Sequence, residues 1–146
     1  MILTRPVRPL LVLLLAASTV AAPVPKGIKN TDAKLLEGRW VSVTFDGGEG
    51  PKTDGSYTLV IRDGKMWFGA GGAESPPDAP FTLDPTRSPK QLDVSWPTWK
   101  EPQQYVYELK GETLALCHSQ PKNSRPSDVK GAPGGQICFV FKRVKE

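Results

Sequence analysis

Leu36-Glu37-Gly38-Arg39-Trp40 opens the patterned part of this 146-residue chain, and Phe139-Val140-Phe141-Lys142-Arg143 closes it. Between these two stretches apolar and polar side chains alternate, which is typical of strands with one buried face. Fifteen prolines and fourteen glycines leave few uninterrupted helical windows and suit short strands joined by turns. The strand-like runs are residues 39–45, 56–62, 65–69, 80–83, 91–96, 104–110, 113–118 and 136–143. The chain is therefore predicted to be all-β.

Eight strands can close into a barrel whose interior is filled by side chains or holds one small ligand. Turn-like connections favour an antiparallel up-and-down order. Ahead of the first strand, residues 31–36 can form one helical turn, capped by Thr31 or Asp32. We predict one domain over residues 31–146, an eight-stranded antiparallel up-and-down barrel with a short N-terminal helical turn.

Two hairpins are predicted to share one buried face. Asp63-Gly64 is a strong two-residue turn because both positions tolerate a positive φ, and it pairs Ile61 with Met66. A turn at Lys110-Gly111 pairs Tyr107 with Leu114, and by extension Tyr105 with Leu116. The predicted inward face is made of Leu59, Ile61, Met66, Phe68, Tyr105, Tyr107, Leu114, Leu116, Phe139 and Phe141.

The same register places the two cysteines. With Leu116 opposite Phe139, Cys117 lies directly opposite Cys138 on the outer face. Because these are the two cysteines of the chain, a disulfide is predicted that staples the last hairpin across residues 119–135. The alternatives are two partly buried free thiols, or a metal site completed by His118. A closed zinc site needs four ligands, so no metal site is predicted.

The N-terminus has the order of an export signal. A basic region with Arg5 and Arg8 precedes an apolar core, and small residues follow. We predict a signal peptide over residues 1–22, a linker over 23–30, and a periplasmic or secreted protein. The apolar run is too short for a stable membrane span, which takes roughly 20 residues.

Charge argues against nucleic acid as a partner. Removing Arg5 and Arg8 lowers the excess of basic over acidic side chains from four to two, and no basic run remains. Proteins that bind nucleic acid need a clustered basic footprint.

The inward face could line a pocket for a small apolar or amphipathic ligand, or it could be a filled core. Arg125, in the long loop before the last strand, could anchor an anionic head group of such a ligand. Its alternative is an ordinary loop arginine beside Pro126 or paired with Asp128. The candidate ligand-binding residues are Tyr105, Tyr107, Phe68, Phe139, Phe141 and Arg125.

An aromatic patch surrounds one strand connection, and we expect Trp96 to be buried and Trp99 to be exposed. An exposed tryptophan there would be a surface for sugar, peptide or protein contact. No nucleophile turn accompanies His118, and nothing predicts paired carboxylates or a cofactor, so no catalytic residue is assigned and the chain is predicted not to be an enzyme.

Several segments resemble a known family: LEGRW at 36–40, FTLDPT at 81–86, PKQLDV at 89–94, YELKGETLALC at 107–117, RP at 125–126 and FKR at 141–143. In this order and spacing they resemble the lipocalin-like domain family of exported proteins that is expanded in planctomycete bacteria. The resemblance covers residues 32–145 and implies an eight-stranded barrel in an exported bacterial protein, without implying an activity. Residues 69–79 and 96–99 depart from the family's usual pattern.

The resemblance also implies structural roles for Gly38, Trp40 and Arg143. In lipocalins the tryptophan of the first strand closes one end of the barrel, and an arginine of the last strand lies over it. Two functional hypotheses follow. The first is a lipocalin-like protein that binds a small apolar ligand inside the barrel. The second is a solid-core barrel whose long loops contact an envelope protein partner or inhibit a protease.

Overall fold

The computed structural model describes residues 31–71, 74–120, 122–131 and 133–145. The predicted signal peptide and linker, residues 1–30, lie outside this part. A short helix precedes nine strands, and a 3₁₀ turn at Pro133–Gly135 leads into the last strand. The elements are α1 (Thr31–Leu36), β1 (Gly38–Asp46), β2 (Lys52–Thr53), β3 (Tyr57–Arg62), β4 (Lys65–Ala70), β5 (Ala79–Asp84), β6 (Lys90–Val94), β7 (Gln103–Lys110), β8 (Thr113–Ser119) and β9 (Gln136–Arg143).

The predicted fold class is confirmed. Eight antiparallel strands form a ring in the order β1-β3-β4-β5-β6-β7-β8-β9, and β9 pairs with β1 to close it. The sequence did not predict β2, which lies outside the ring and pairs with the end of β1 at Thr44 and Phe45. Two exposed residues are too few for an alternating pattern to show.

The first hairpin has the predicted register, with Ile61 opposite Met66 and Leu59 opposite Phe68. The seam between β4 and β5 is short. In the described residues it consists of Lys65 opposite Pro80 and Met66 opposite Ala79, whereas every other pair of ring neighbours has a longer ladder.

The predicted register of the β7–β8 hairpin is wrong by two residues. Tyr107 lies opposite Leu116, not Leu114, and Tyr105 lies opposite His118, not Leu116. The turn residues are Gly111 and Glu112, and Gly111 takes the positive φ of +55°. A shift of two residues preserves the face on which each side chain lies, so the predicted inward set is unchanged.

The end of the barrel covered by α1 is held by Trp40 and Arg143. The Trp40 indole N–H donates to the Leu36 carbonyl at 2.9 Å, and the Arg143 guanidinium lies 4.1 Å from the Trp40 ring centroid. Gly38 has φ +132°, and a Cβ there would lie 2.7 Å from Nη1 of Arg143. The glycine therefore leaves space for the cation that covers the tryptophan, a contact worth about 0.5–2 kcal/mol.

The predicted disulfide is confirmed. Cys117 and Cys138 are bonded across β8 and β9 with their Cα atoms 4.1 Å apart, in the predicted register. The free-thiol and metal-site alternatives are thereby ruled out for this pair. The bond lies on the outer face and is nevertheless buried, because Val106 and Val129 pack against it. The long loop before β9 thus covers the outer side of the wall.

Candidate functional site

Aromatic rings fill the interior of the barrel. The ring centroids of Phe68, Phe139 and Phe141 lie 5.2 to 6.3 Å from one another, which is direct ring contact. Phe45 and Tyr57 extend this packing, with centroids 5.2 and 5.1 Å from that of Phe139. The three phenylalanines predicted to touch a ligand therefore touch one another.

The hydroxyl group of Tyr107 is directed to helix α1. Tyr107 is buried, and its O–H donates to Asp32 Oδ2 at 2.8 Å, while Lys90 Nζ lies 2.7 Å from the same oxygen. Burial raises the pKa of Asp32, but the hydrogen bonds from Lys90 and Tyr107 outweigh it and leave that pKa below its ordinary value. Burial, together with the Asp32 charge, raises the pKa of Tyr107. The hydroxyl thus ties α1 to the barrel wall.

The second predicted tyrosine belongs to a polar cluster around Gln103. The Gln103 Oε1 accepts from the Tyr105 hydroxyl at 2.5 Å and from the Trp96 indole N–H at 2.9 Å. Its Nε2 lies 2.7 Å from Nδ1 of His118. We call Gln103, Trp96, Tyr105 and His118 the Gln103 cluster. Gln103 is buried, so this set satisfies its amide away from water.

Donor chemistry determines the orientation of the Gln103 cluster. The Trp96 indole can only donate, so Oε1 of Gln103 must face it and the amide nitrogen must face His118. Nδ1 of His118 faces both this amide nitrogen, at 2.7 Å, and the Ser119 carbonyl oxygen, at 3.1 Å, so it accepts from the amide in one tautomer and donates to the carbonyl in the other. Burial lowers the pKa of His118 below its ordinary value and outweighs the opposite effect of the Ser119 carbonyl. No local sequence pattern predicts this cluster, because the amide and the imidazole are 15 positions apart.

Arg125 lies outside the barrel rather than at a ligand in its interior. Its Nη2 is 2.6 Å from Asp93 Oδ1, and Nη1 donates to the Tyr105 carbonyl at 2.7 Å. Asp93 points outward, since its neighbours in β6 belong to the core. Asp128, named above as a possible partner in the alternative interpretation, instead accepts the backbone N–H groups of residues 129 and 130. Arg125 fastens the long loop to the outer surface of β6 and β7.

A groove of about 900 Å³ lies at the end of the barrel away from α1. We call it the rim groove. Its walls are the β6–β7 connection, which carries Trp99, and the beginning of the β8–β9 connection; its floor is the start of β7. The lining residues are Asp93, Trp99, Lys100, Glu101, Pro102, Gln103, Gln104, Ser119, Gln120, Lys122, Asn123 and Ser124.

Hydrogen bonds hold both walls of the rim groove. The Trp99 N–H donates to the Trp96 carbonyl at 3.1 Å, and the Trp96 indole is fixed by Gln103. On the other wall the Ser119 hydroxyl donates to the Ser124 carbonyl at 2.6 Å. As expected from the sequence, Trp96 is partly buried and Trp99 is exposed, by 43% of its surface. A rigid groove therefore presents one indole to the solvent.

In the described ranges, no group of three or more His, Cys, Asp and Glu side chains is placed to hold a metal ion. Nor is any helix in these ranges both long and apolar enough to cross a membrane.

Comparison of the chain with protein-family models, with curated proteins and with solved structures finds no match.

Proposed function

We propose that this chain is an exported binding protein, not an enzyme, and that it recognises its ligand in the rim groove. The observation that carries the proposal is the exposed Trp99 on a wall whose backbone is fixed by the Gln103 cluster. Large exposed aromatic side chains on rigid supports are favoured in recognition, because little conformational entropy is lost when they bind. The proposal keeps the loops as the recognition surface, as the second hypothesis from the sequence does, but it does not retain the protein partner of that hypothesis.

A ligand inside the barrel is the second candidate. The closed eight-stranded ring supports it, and so does the partial burial of Phe45, Tyr57 and Phe68, whose rings are packed against the core. Such a ligand must displace ring contacts of 5 to 6 Å that already fill the centre. The rim groove requires no such displacement, so we favour it.

We also propose that the protein is exported and that it is related to the lipocalin-like domain family. Disulfides persist mainly in oxidising compartments, and the Cys117–Cys138 bond therefore supports a periplasmic or secreted location. The closed ring and the Arg143–Trp40 contact support the resemblance to the lipocalin-like domain family.

Fragment screening by NMR on the ¹⁵N-labelled protein tests the groove without knowledge of the ligand. We expect chemical-shift changes to cluster at Trp99, Gln104 and Asn123 for polar aromatic and polyhydroxyl fragments. The matched control is a panel of fatty acids and retinoid-like probes. The proposal would be overturned if the apolar probes caused saturable chemical-shift changes at Phe68 and Phe139 and no fragment caused any in the groove. That result would favour a ligand site inside the barrel.

A further inference from the structure

We infer that the ligand of the rim groove is a neutral saccharide, an inference that rests on the proposed function and specifies its ligand class. The lining combines one exposed indole, three exposed carboxamides and a small net charge. The indole and the carboxamides match the two kinds of surface that a sugar presents, and the small net charge argues against polyanions.

The indole of Trp99 supplies an apolar plane. A pyranose ring has one face made mostly of C–H groups, and such a face packs on an exposed indole while the hydroxyls at its edge remain free to hydrogen-bond. Among the described residues of the lining, Pro102 is the one fully apolar residue beside Trp99, and the other side chains carry polar ends. An acyl chain or the desolvated centre of a protein interface would leave those polar ends without hydrogen-bond partners.

The carboxamides supply matched hydrogen-bonding groups. Gln104, Gln120 and Asn123 are exposed and line the groove, whereas the amide of Gln103 is occupied by its own cluster. A carboxamide offers both donors and acceptors, and so does each sugar hydroxyl. Three amides around one indole therefore suit a ligand that is rich in hydroxyl groups.

The lining of the groove carries little net charge. Asp93 is paired with Arg125, which leaves Lys100 and Lys122 against Glu101. A polyanion such as nucleic acid, or a sulfated or uronic-acid polymer, requires a clustered basic surface, and a surplus of one positive charge does not make one. We therefore expect uncharged sugars to bind in preference to these polymers.

Isothermal titration calorimetry and ¹⁵N NMR with chitotriose, cellotriose and maltotriose test the inference. We expect at least one of the three to bind, with shifts confined to the groove. Trp99→Ala should weaken that binding about tenfold or more, and Trp99→Phe should restore part of it. Leu35→Ala is the matched control, because Leu35 is the other exposed large apolar residue in the described part of the chain and lies on α1 at the opposite end. It should bind as the wild type does.

Three outcomes would overturn the inference. The first is that no trisaccharide at millimolar concentration changes the chemical shifts of the groove residues while other fragments do, which would leave the proposed function standing. The second is that trigalacturonate binds more tightly than every neutral sugar, which would show a charged ligand class. The third is that Trp99→Ala binds as tightly as the wild type with unchanged NMR dispersion, which would show that the indole is not a contact. Shifts confined to interior residues would overturn the proposed function as well.

Discussion

At the scale of single residues, Gly38 combines a positive φ with a close approach to the Arg143 side chain. We predict that Gly38→Ala lowers the free energy of unfolding by about 2–3 kcal/mol, because φ +132° is strained for alanine and its Cβ would meet the Arg143 guanidinium. Gly50→Ala is the matched control, since Gly50 also has a positive φ but has no atom within 4 Å of the added Cβ. Urea denaturation measures both, and equal losses would show that Arg143 plays no part.

His118 gives the stability a pH dependence near neutrality. Its pKa is lower in the folded than in the unfolded protein, so the unfolded state binds more protons as the pH falls below the ordinary value of 6.5. The contribution of the neutral ring is therefore complete above pH 6.5 and is lost as the pH falls through the lowered folded-state pKa. We predict that the wild type loses stability in this window and that His118→Gln does so less steeply. Denaturation curves at a series of pH values measure the slope, and identical slopes would contradict the prediction.

The sequence predicted the positions of side chains that follow a local pattern, namely the alternation along a strand or the facing register of two strands. Alternation assigned Leu59, Met66 and Phe141 to the interior, and facing register assigned Cys117 to Cys138. Contacts between distant polar groups had no such pattern. The partner of Arg125 lies 32 positions away in the chain and depends on how a long loop folds back, so the sequence suggested only the nearby Asp128 as a possible partner and not Asp93.

At the scale of elements, the Asp32 carboxylate is one link between helix α1 and the barrel, besides the Leu36 carbonyl that accepts from Trp40. We predict that Asp32→Asn costs about 1–2 kcal/mol at neutral pH, since it weakens the hydrogen bonds from Tyr107 and Lys90. Asp84→Asn is the control, because its ion pair with Arg87 is exposed and should contribute little.

The pH dependence of the Asp32 effect has a definite sign. Because the folded-state pKa of this carboxyl is lowered, its contribution is complete above the ordinary value of 3.8 and is lost as the pH falls through the lower folded-state value. The wild type and Asp32→Asn should therefore converge in stability in strong acid. A constant difference down to the lowest pH at which both remain folded would contradict this role.

The eight strands of the ring were predictable in number and order, with a register error where turn chemistry was ambiguous. Both Lys110-Gly111 and Gly111-Glu112 place a glycine in a two-residue turn, and local sequence alone does not choose between them. The β2 strand and the rim groove were beyond prediction for another reason. Each depends on where a connection with few apolar residues comes to rest on the barrel.

At the scale of the whole molecule, the disulfide fixes the long loop to the outside of a barrel whose core is separate from it. We predict that Cys117→Ala/Cys138→Ala lowers the stability by about 3 kcal/mol and leaves the β-sheet circular dichroism spectrum unchanged. Thermal denaturation with and without reductant measures the effect. Reductant should destabilise the wild type and not the double variant, and equal sensitivity of the two proteins would exclude the bond as the cause.

The short seam between β4 and β5 gives the ring a preferred place to open. Two residue pairs hold it in the described part of the chain, and one of them contains Pro80, which has no N–H to donate. Backbone amides flanking this seam should exchange with deuterium sooner than those of β8 and β9. On heating, we therefore expect the ring to open first between β4 and β5, which leaves a sheet of eight strands with β4 and β5 at its two edges.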